Sequence, residues 1–293
     1  MSLTIHLGAH KTATTHLQRT MRGLLPQLVR AGVHYTDTQH WRGGGGFRMA
    51  VALADGPAGA RYRGRLRRRL DVIAAEWPAV VISEENILGS LRRDGLMGPE
   101  NLIYPHAERR LDRLCAMLKR RPATVILAVR EPLAFLESAF SMQVQGGHEL
   151  VFEDYLAGFD PAALSWAGLV ERLLSVRGVA RVTVWRYEDY PALRPRILAA
   201  MAPAAVAAAA PELPPAIVGL SQAAYDDIRA RVAADPGADI ASLARDAKAA
   251  HPRSGGGAPL RLADAATRAR CRSAHDDDLA RLAGMARVTL MRP

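Results

Sequence analysis

The segment from Gly8 to Thr15 contains the residue types of an anion-binding loop. It follows a short apolar run, Leu3 to Leu7, and precedes a stretch in which apolar residues recur at helical spacing. A small-residue turn between a strand and a helix presents several backbone N–H groups to one point, where the helix dipole also favours negative charge. Lys11 adds a full positive charge, and Thr14 and Thr15 add hydroxyl groups. The pattern predicts a phosphate-binding site.

The spacing within this loop differs from that of the nucleoside-triphosphate loop, GxxxxGK[ST]. Gly8 and Lys11 are only three positions apart, and no glycine stands directly before the lysine. The spacing therefore argues against a nucleotide kinase, which would also need Mg²⁺ held by a loop Ser or Thr and by an acid at a strand end. An ordinary strand-to-helix turn with a surface lysine is the alternative interpretation.

A second cluster follows the run from Thr124 to Val129, which is the strongest strand signal in the chain. Arg130 comes directly after this run, Pro132 starts the next helix, and Ser138 lies eight residues after the arginine. An arginine at the carboxyl end of a central parallel strand points into the crevice where such sheets bind ligands. A guanidinium fork and a hydroxyl together suit a phosphate group. A structural or capping role for this arginine is the alternative.

The elements that position these residues alternate between strand and helix. Such alternation implies crossover units and a parallel sheet with right-handed connections. The fold class that we expect is α/β, a three-layer sandwich with a roughly five-stranded parallel sheet and C-terminal helices. Strands are predicted at 3–7, 33–35, 79–83, 124–129 and 181–185, and the clearest helices at 60–77, 106–120, 132–145 and 162–176.

The composition after about residue 195 changes, because residues 199–216 are rich in Ala and Pro. We therefore expect a single domain over 1–293, with an α/β core at 1–195 and a helical C-terminal elaboration at 196–293. Within the core, the helix at 60–77 is expected to bury its leucines and to expose an arginine row. His6, Phe152, Trp166 and Trp185 are expected to be core residues.

Composition and charge narrow the class of protein. With 49% hydrophobic and 23% charged residues, a mostly disordered chain is excluded. The net charge of +10 favours anionic partners, but only 5% of the residues are aromatic and no nucleic-acid recognition motif is visible. No apolar run is long enough to span a membrane, and the two cysteines, Cys115 and Cys271, have no metal-ligand spacing. A cytoplasmic protein without a metal or a membrane span is expected.

Taken together, the two clusters resemble the PAPS-dependent sulfotransferases. The segment HLGAHKTATTHLQ at 6–18 is similar to the loop that binds the 5′-phosphosulfate in that family, and VREPLAFLESAFSMQ at 129–143 is similar to the motif that binds the 3′-phosphate. Looser similarities are VFEDYL at 151–156 and VTVWRYEDY at 182–190. The resemblance covers about residues 3–190 and implies a P-loop-NTPase-like fold. It departs from the family at Ala13, where glycine is usual. Alanine is tolerable there if the local φ is negative, so the departure weakens the match slightly without breaking it.

The resemblance implies PAPS as co-substrate and a role for each motif residue. Lys11 would neutralise the leaving phosphate as the sulfuryl group departs, and Arg130 with Ser138 would bind the 3′-phosphate. No metal is required by this chemistry. The residues expected to bind the 5′-phosphate and sulfate are those of the loop: His10, Lys11, Thr12, Ala13, Thr14 and Thr15.

An attacking hydroxyl needs a general base, for which three residues are candidates. Glu84 and Glu85 follow the strand at 79–83, and because successive strand residues face opposite sides, only one of them can point at the donor. We favour Glu85. His40, in the loop before the four glycines at 43–46, resembles the region where glycan-modifying relatives carry their base. An arginine-paired or solvated carboxylate is the alternative for either glutamate.

The expected reaction is transfer of a sulfuryl group from PAPS to a hydroxyl or amine of a small molecule or glycan. The acceptor class, a carbohydrate or a glycosylated metabolite, is implied only by the acceptors that members of this family commonly use. The alternatives are a catalytically degenerate relative that only binds the nucleotide, a P-loop-type kinase, and a nucleic-acid-binding protein that uses the arginine row at 61–69. The loop sequence HPRSGGG at 251–257 places Arg253 where many sulfotransferases use a late basic loop. The oligomeric state and the residues that contact adenine have no signal in the sequence.

Overall fold

A computed structural model of the chain describes residues 2–42, 48–214, 218–253 and 256–293. The glycine run at 43–46 lies outside the described residues. Within them, six strands form one parallel sheet in the order β2-β3-β1-β4-β5-β6. The strands are β1 (Ser2–Gly8), β2 (Val33–Thr36), β3 (Ala79–Ser83), β4 (Ala123–Val129), β5 (Val179–Arg186) and β6 (Val288–Leu290).

Helices connect these strands and cover both faces of the sheet. None of the helices in the described part of the chain is both long enough and apolar enough to cross a membrane. The α-helices are α1 (Thr14–Gly23), α2 (Leu25–Arg30), α3 (Thr38–Arg42), α4 (Met49–Leu53), α5 (Gly56–Glu76), α6 (Arg93–Leu96), α7 (Ala107–Met117), α8 (Pro132–Gln145), α9 (Phe152–Leu156), α10 (Trp166–Ser175), α11 (Tyr190–Ala199), α12 (Ala204–Ala208), α13 (Gln222–Ala234), α14 (Ile240–Ala250) and α15 (Ala265–Gly284). Short 3₁₀ turns lie at Glu85–Ile87, Pro99–Asn101, Pro161–Ala163 and Tyr187–Asp189.

The sequence of β4 shows why the sheet has a hydrophobic core on each face. Successive side chains of a strand point to opposite faces, and the run ATVILAV is apolar on both. Val125, Leu127 and Val129 pack into the core formed with α4, α5, α7, α8 and the C-terminal helices. Ile126 and Ala128 pack into a second core with α1, α2 and α11. The result is three layers, helix, sheet and helix, as predicted.

Strands β1 and β4 lie side by side at the point where the order of the sheet reverses. The chain runs from β1 outward to β2 and β3 on one side, then crosses to β4, β5 and β6 on the other. In open α/β sheets, ligands bind outside the carboxyl ends of the strands at such a point. The loop after β1 and the residue after β4 are therefore brought to one crevice by the topology alone.

The α/β fold class is confirmed, and the main corrections concern the ends of elements. The helix predicted at 60–77 is Gly56–Glu76, that at 106–120 is Ala107–Met117, and that at 162–176 begins only at Trp166. The sheet also has a sixth strand, β6, in the segment that was predicted to be helical. A run of three residues, of which two are half-buried and one is exposed, is too short to give a periodic signal, and its pairing with β5 is what makes it a strand.

The predicted core residues are buried. Trp166, Trp185 and Phe152 are almost fully inaccessible, and the leucines of α5 face inward while most of its arginine row is exposed. His6 is buried in β1, where its Nδ1 lies 2.7 Å from Ser83 Oγ and burial lowers its pKa to about 4. This histidine is therefore neutral and structural.

Backbone geometry corrects the expectation for Ala13, the residue before α1. Its φ is +63° and its ψ is 16°, in the left-handed region, so the condition of a negative φ is not met. An L-residue with a Cβ in this conformation costs about 1–2 kcal/mol, whereas glycine adopts it freely. The chain thus carries a local conformational cost in the loop that begins the candidate site.

Ala13→Gly should therefore stabilise the fold, raising the free energy of unfolding by about 1 kcal/mol despite the larger entropy of glycine in the unfolded chain. Ala230, exposed in the middle of α13, is the matched control, because Ala230→Gly should lower the same quantity by about 1 kcal/mol. Urea unfolding followed by circular dichroism measures both. Equal destabilisation by the two variants would contradict the assigned strain.

Candidate functional site

The loop between β1 and α1 is a closed turn that its own hydroxyls stabilise. The Thr12 and Thr14 hydroxyls both donate to the Ala9 carbonyl, at 2.6 and 2.9 Å. Gly8 has a φ of +94°, and a Cβ there would lie 3.1 Å from the Cβ of Glu85. The threonine protons thus shape the turn, so the donors it offers to an anion are backbone N–H groups, Lys11 and the half-buried Thr15 at the start of α1.

The side chain of His10 anchors the loop to the turn after β3. Its ring is buried, with Nδ1 2.8 Å from the Tyr104 hydroxyl and Nε2 2.8 Å from Asn86 Oδ1. Burial lowers the pKa of this ring, so it is neutral and fits a tautomer that donates from Nε2 and accepts at Nδ1. His10 contributes to the predicted phosphate site by fixing the loop, while its ring points into the protein.

Lys11 and Arg130, predicted from separate motifs, are joined directly. Arg130 Nη1 donates to the Lys11 carbonyl at 2.9 Å, and its guanidinium lies 4.5 Å from the centre of the Tyr187 ring. The Trp166 indole donates to the Arg130 carbonyl at 2.7 Å. One edge of Arg130 therefore fixes the loop of Lys11, and the buried Nε has no partner among the described residues. The carboxyl ends of β1 and β4 are thus locked together.

Positive charge accumulates around Lys11 in excess of what is neutralised nearby. Burial and the charges of Arg130, Lys248 and Arg253 lower the pKa of Lys11 to about 8. Burial, together with the charge of Arg253, also lowers the pKa of Arg130. Cations that depress one another's pKa in this way form a site in which an anion would be strongly stabilised.

A pocket of about 210 Å³ opens beside Arg130. It brings together the predicted pair, Arg130 and Ser138, with Arg253 from the late loop. The wall opposite α8 is formed by residues from the C-terminal part of the chain. The lining residues are Arg130, Ala134, Glu137, Ser138, Ser141, Gly219, Leu220, Arg253, Pro259, Leu260, Arg261 and Arg268.

The pocket contains one carboxylate, Glu137, and it has its own counter-ion. Arg268 Nη2 donates to Glu137 Oε1 at 2.8 Å, and the Leu262 amide donates to the same oxygen at 2.9 Å. Glu137 is thus neutralised and ties α15 to α8, which leaves the charge of Arg130 and Arg253 available. Sequence reasoning missed this pair, because its members are separated by 131 positions and have no shared motif.

The two glutamates after β3 have different surroundings. Glu84 is fully buried, pairs with Arg42, and accepts a hydrogen bond from the Asn86 amide at 3.0 Å. Glu85 lies against Gly8 of the loop and is held at both oxygens, by Arg42 Nη2 at 2.9 Å and by Gln18 Nε2 at 3.2 Å. The geometry therefore favours Glu85 over Glu84 for contact with a ligand at the loop.

The carboxyl groups of Glu84 and Glu85 also differ in the direction of their pKa shifts. Burial raises the pKa of Glu84 despite its hydrogen bonds to Arg42. Burial acts on Glu85 in the same direction, but the charge and the hydrogen bond of Arg42 hold its pKa below the ordinary value. Glu85 is therefore ionised in the ligand-free protein, as an acceptor for a proton must be.

His40, the third candidate base, lies in a different cluster. It belongs to α3 rather than to a loop, and its ring packs against Trp41 and His34, with centroids 4.7 and 6.2 Å away. Burial and the nearby charge of Arg69 lower its pKa to about 4. His34 belongs to the edge strand β2, two strands from β1, so the structure does not bring this ring together with Lys11 and Arg130.

Comparisons with known proteins add little to this geometry. No family model matches the chain, and no curated protein matches it. The crystal structure of a sulfotransferase from Alicyclobacillus acidocaldarius matches at a TM-score of 0.42 and 16% sequence identity, covering 85% of this chain and 95% of that chain. A structural likeness at this level does not assign a function, so the function is inferred from the residues of the site. In the described ranges, no group of three or more His, Cys, Asp or Glu residues is arranged to hold a metal ion.

The lowered pKa of Lys11 predicts how the site responds to pH. Sulfate is a suitable probe because its charge is constant from pH 6 to 9. Its affinity should be highest below pH 8, where Lys11 is protonated, and should fall as the pH rises through about 8. Above that value the loss approaches tenfold per pH unit, with proton uptake on binding, and calorimetry measures both.

Lys11→Met should weaken sulfate binding and remove its dependence on pH near 8. Lys119→Met is the control, because Lys119 is an exposed lysine beside Asp71. If wild-type affinity were constant from pH 7 to 9, Lys11 would not be a ligand of the anion.

Proposed function

We propose that the chain transfers a sulfuryl group from PAPS to a hydroxyl or amine acceptor. The observation that carries this proposal is the hydrogen bond from Arg130 to the Lys11 carbonyl, which unites two motifs for phosphate in one crevice. The loop at Lys11 suits a 5′-phosphosulfate, and the pocket with Arg130 and Ser138 suits a 3′-phosphate. A donor with phosphate at both positions would occupy both sites at once.

In the proposed reaction, the crevice lowers the barrier mainly by placement and charge. The acceptor oxygen attacks sulfur while the bond between sulfur and the bridging phosphate oxygen breaks. The electron pair of that bond goes to the leaving phosphate, and the ammonium of Lys11 stabilises the charge that develops there. Because the charge grows only during transfer, Lys11 acts more on turnover than on binding.

Glu85 would accept the proton that the acceptor loses. Its carboxylate is fixed at both oxygens by Arg42 and Gln18, and it lies against the loop that would carry the sulfuryl group. Donor binding adds several negative charges beside Glu85, which raises its pKa and makes it a stronger base at the moment of transfer. Both products, the sulfated acceptor and the nucleotide PAP, then leave without any change in oxidation state.

Mass spectrometry tests the reaction directly. The protein would be incubated with PAPS and a metabolite or glycan panel, and a product heavier by one SO₃ is expected. Nucleotide binding without any product would favour a degenerate relative. Preference for ATP with Mg²⁺ would favour the P-loop-type kinase. Tight, salt-sensitive binding of nucleic acid would favour the nucleic-acid-binding protein.

Donor recognition gives the sharpest test of the site. PAP should bind about ten- to a hundred-fold more tightly than AMP, because one charge-assisted phosphate contact contributes about 1.5–3 kcal/mol. Arg130→Met and Ser138→Ala should each reduce this preference, whereas Arg177→Met, at an exposed arginine after α10, should leave it unchanged. Calorimetry gives the affinities of the four proteins for both nucleotides, and equal binding of PAP and AMP by the wild type would overturn the donor assignment.

The role of the base is tested by a change that keeps shape and removes basicity. Glu85→Gln should lower turnover about a hundred-fold or more while PAP affinity stays within a few-fold of wild type. His40→Ala should keep most of the turnover. An active Glu85→Gln protein alongside an inactive His40→Ala or Glu84→Gln protein of normal thermal stability would assign the base elsewhere.

A further inference from the structure

The lysines of this chain are few, and two of them meet at the candidate site. Only three of the 39 basic residues are lysines, namely Lys11, Lys119 and Lys248. Arginine has a planar fork that fixes a ligand in one orientation, whereas the lysine ammonium is a compact charge with three rotatable donors. Where a chain otherwise uses arginine, the convergence of two lysines indicates a ligand that suits compact charges.

Contacts with α8 hold Lys248 in place. It lies on α14, and its Nζ donates to Gln145 Oε1 at 2.9 Å. Gln145 Nε2 in turn donates to the Ser141 carbonyl at 2.9 Å. Ser141 lines the pocket with Ser138 and Arg130. Ser138, Ser141 and Gln145 therefore follow one face of α8 from this pocket to Lys248.

These contacts fix Lys248 without neutralising it. Gln145 is an uncharged partner, and across the described ranges no carboxylate forms a salt bridge with Lys248. Gln145 and Ser141 connect Lys248 to the pocket of Arg130, and Arg130 in turn binds the Lys11 carbonyl. The charge of Lys248 also contributes to the lowered pKa of Lys11. A half-buried cation that is held in place but not paired with a carboxylate of the described residues is suited to bind an anion from outside the chain.

Resting on the proposed function, we propose that Lys248 binds the oxygens of the transferring sulfuryl group, opposite Lys11. The phosphates already have their ligands, because the loop amides suit the 5′-phosphate and the forks of Arg130 and Arg253, with Ser138, suit the 3′-phosphate. The sulfuryl group moves from the phosphate oxygen to the acceptor oxygen, and a compact cation can follow that movement better than a fork. Lys248 transfers no proton in this step, and the acceptor proton goes to Glu85.

The comparison of PAPS with PAP tests this assignment, because the two differ only in the sulfuryl group. Lys248→Met should weaken PAPS binding about ten- to a hundred-fold and leave PAP binding within about two-fold of wild type, as measured by calorimetry without acceptor. Gln145→Leu, which removes only the contact that holds Lys248, should weaken PAPS in the same direction by a smaller factor. Lys119→Met is the matched lysine control and should change neither affinity.

Three results would overturn the inference. Equal weakening of PAPS and PAP by Lys248→Met would make Lys248 a phosphate ligand. An unchanged PAPS affinity in the Lys248→Met protein would show that Lys248 is not a donor ligand. The same conclusion would hold if only the KM of the acceptor rose. A wild-type protein that binds neither nucleotide would contradict the proposed function itself, and with it the inference.

Discussion

The structure depends on a concentration of positive charge that the fold itself does not neutralise. Lys11, Arg130, Lys248 and Arg253 lie near one another at the carboxyl edge of the sheet, and the pKa of Lys11 falls from 10.5 to about 8. A shift of this size corresponds to about 3 kcal/mol against the charged lysine in the ligand-free protein. The two buried cores flanking the sheet must offset this cost, and an anion in the crevice would remove it.

Two buried carboxylates near the crevice are paired with arginines other than Arg130 and Arg253. Glu137 is paired with Arg268, and Glu84 with Arg42, so each of these buried acids has its own arginine. Arg42 also contacts Glu85, and the three groups together carry one negative charge. Glu85, whose pKa is held below the ordinary value, is ionised beside the loop, where a proton acceptor would be needed. The chain thus separates an anion-binding region from a basic carboxylate by pairing the remaining acids locally.

The parts of the site that could be predicted from the sequence are those that follow strand ends. The loop at Lys11 and the pair of Arg130 and Ser138 have short motifs, and the rule that parallel strands end at one edge brings them together. Gln18, Arg42 and Lys248 had no such signal, because their contacts depend on how α1, α3 and α14 pack. The positive φ of Ala13 could not be predicted from the sequence either, because alanine rarely adopts the left-handed region.

The C-terminal helices, which contain no recognisable motif, therefore determine the surroundings of the motif residues. The predicted core supplies Lys11, Arg130 and Ser138, which suit a nucleotide with two phosphate sites. Residues after 215 supply Lys248 and Arg253, and through Glu137 and Arg268 they also fix the wall of the pocket. In the proposed reaction, donor binding would rest on the strand ends, and control of the transferring group would rest on the C-terminal helices.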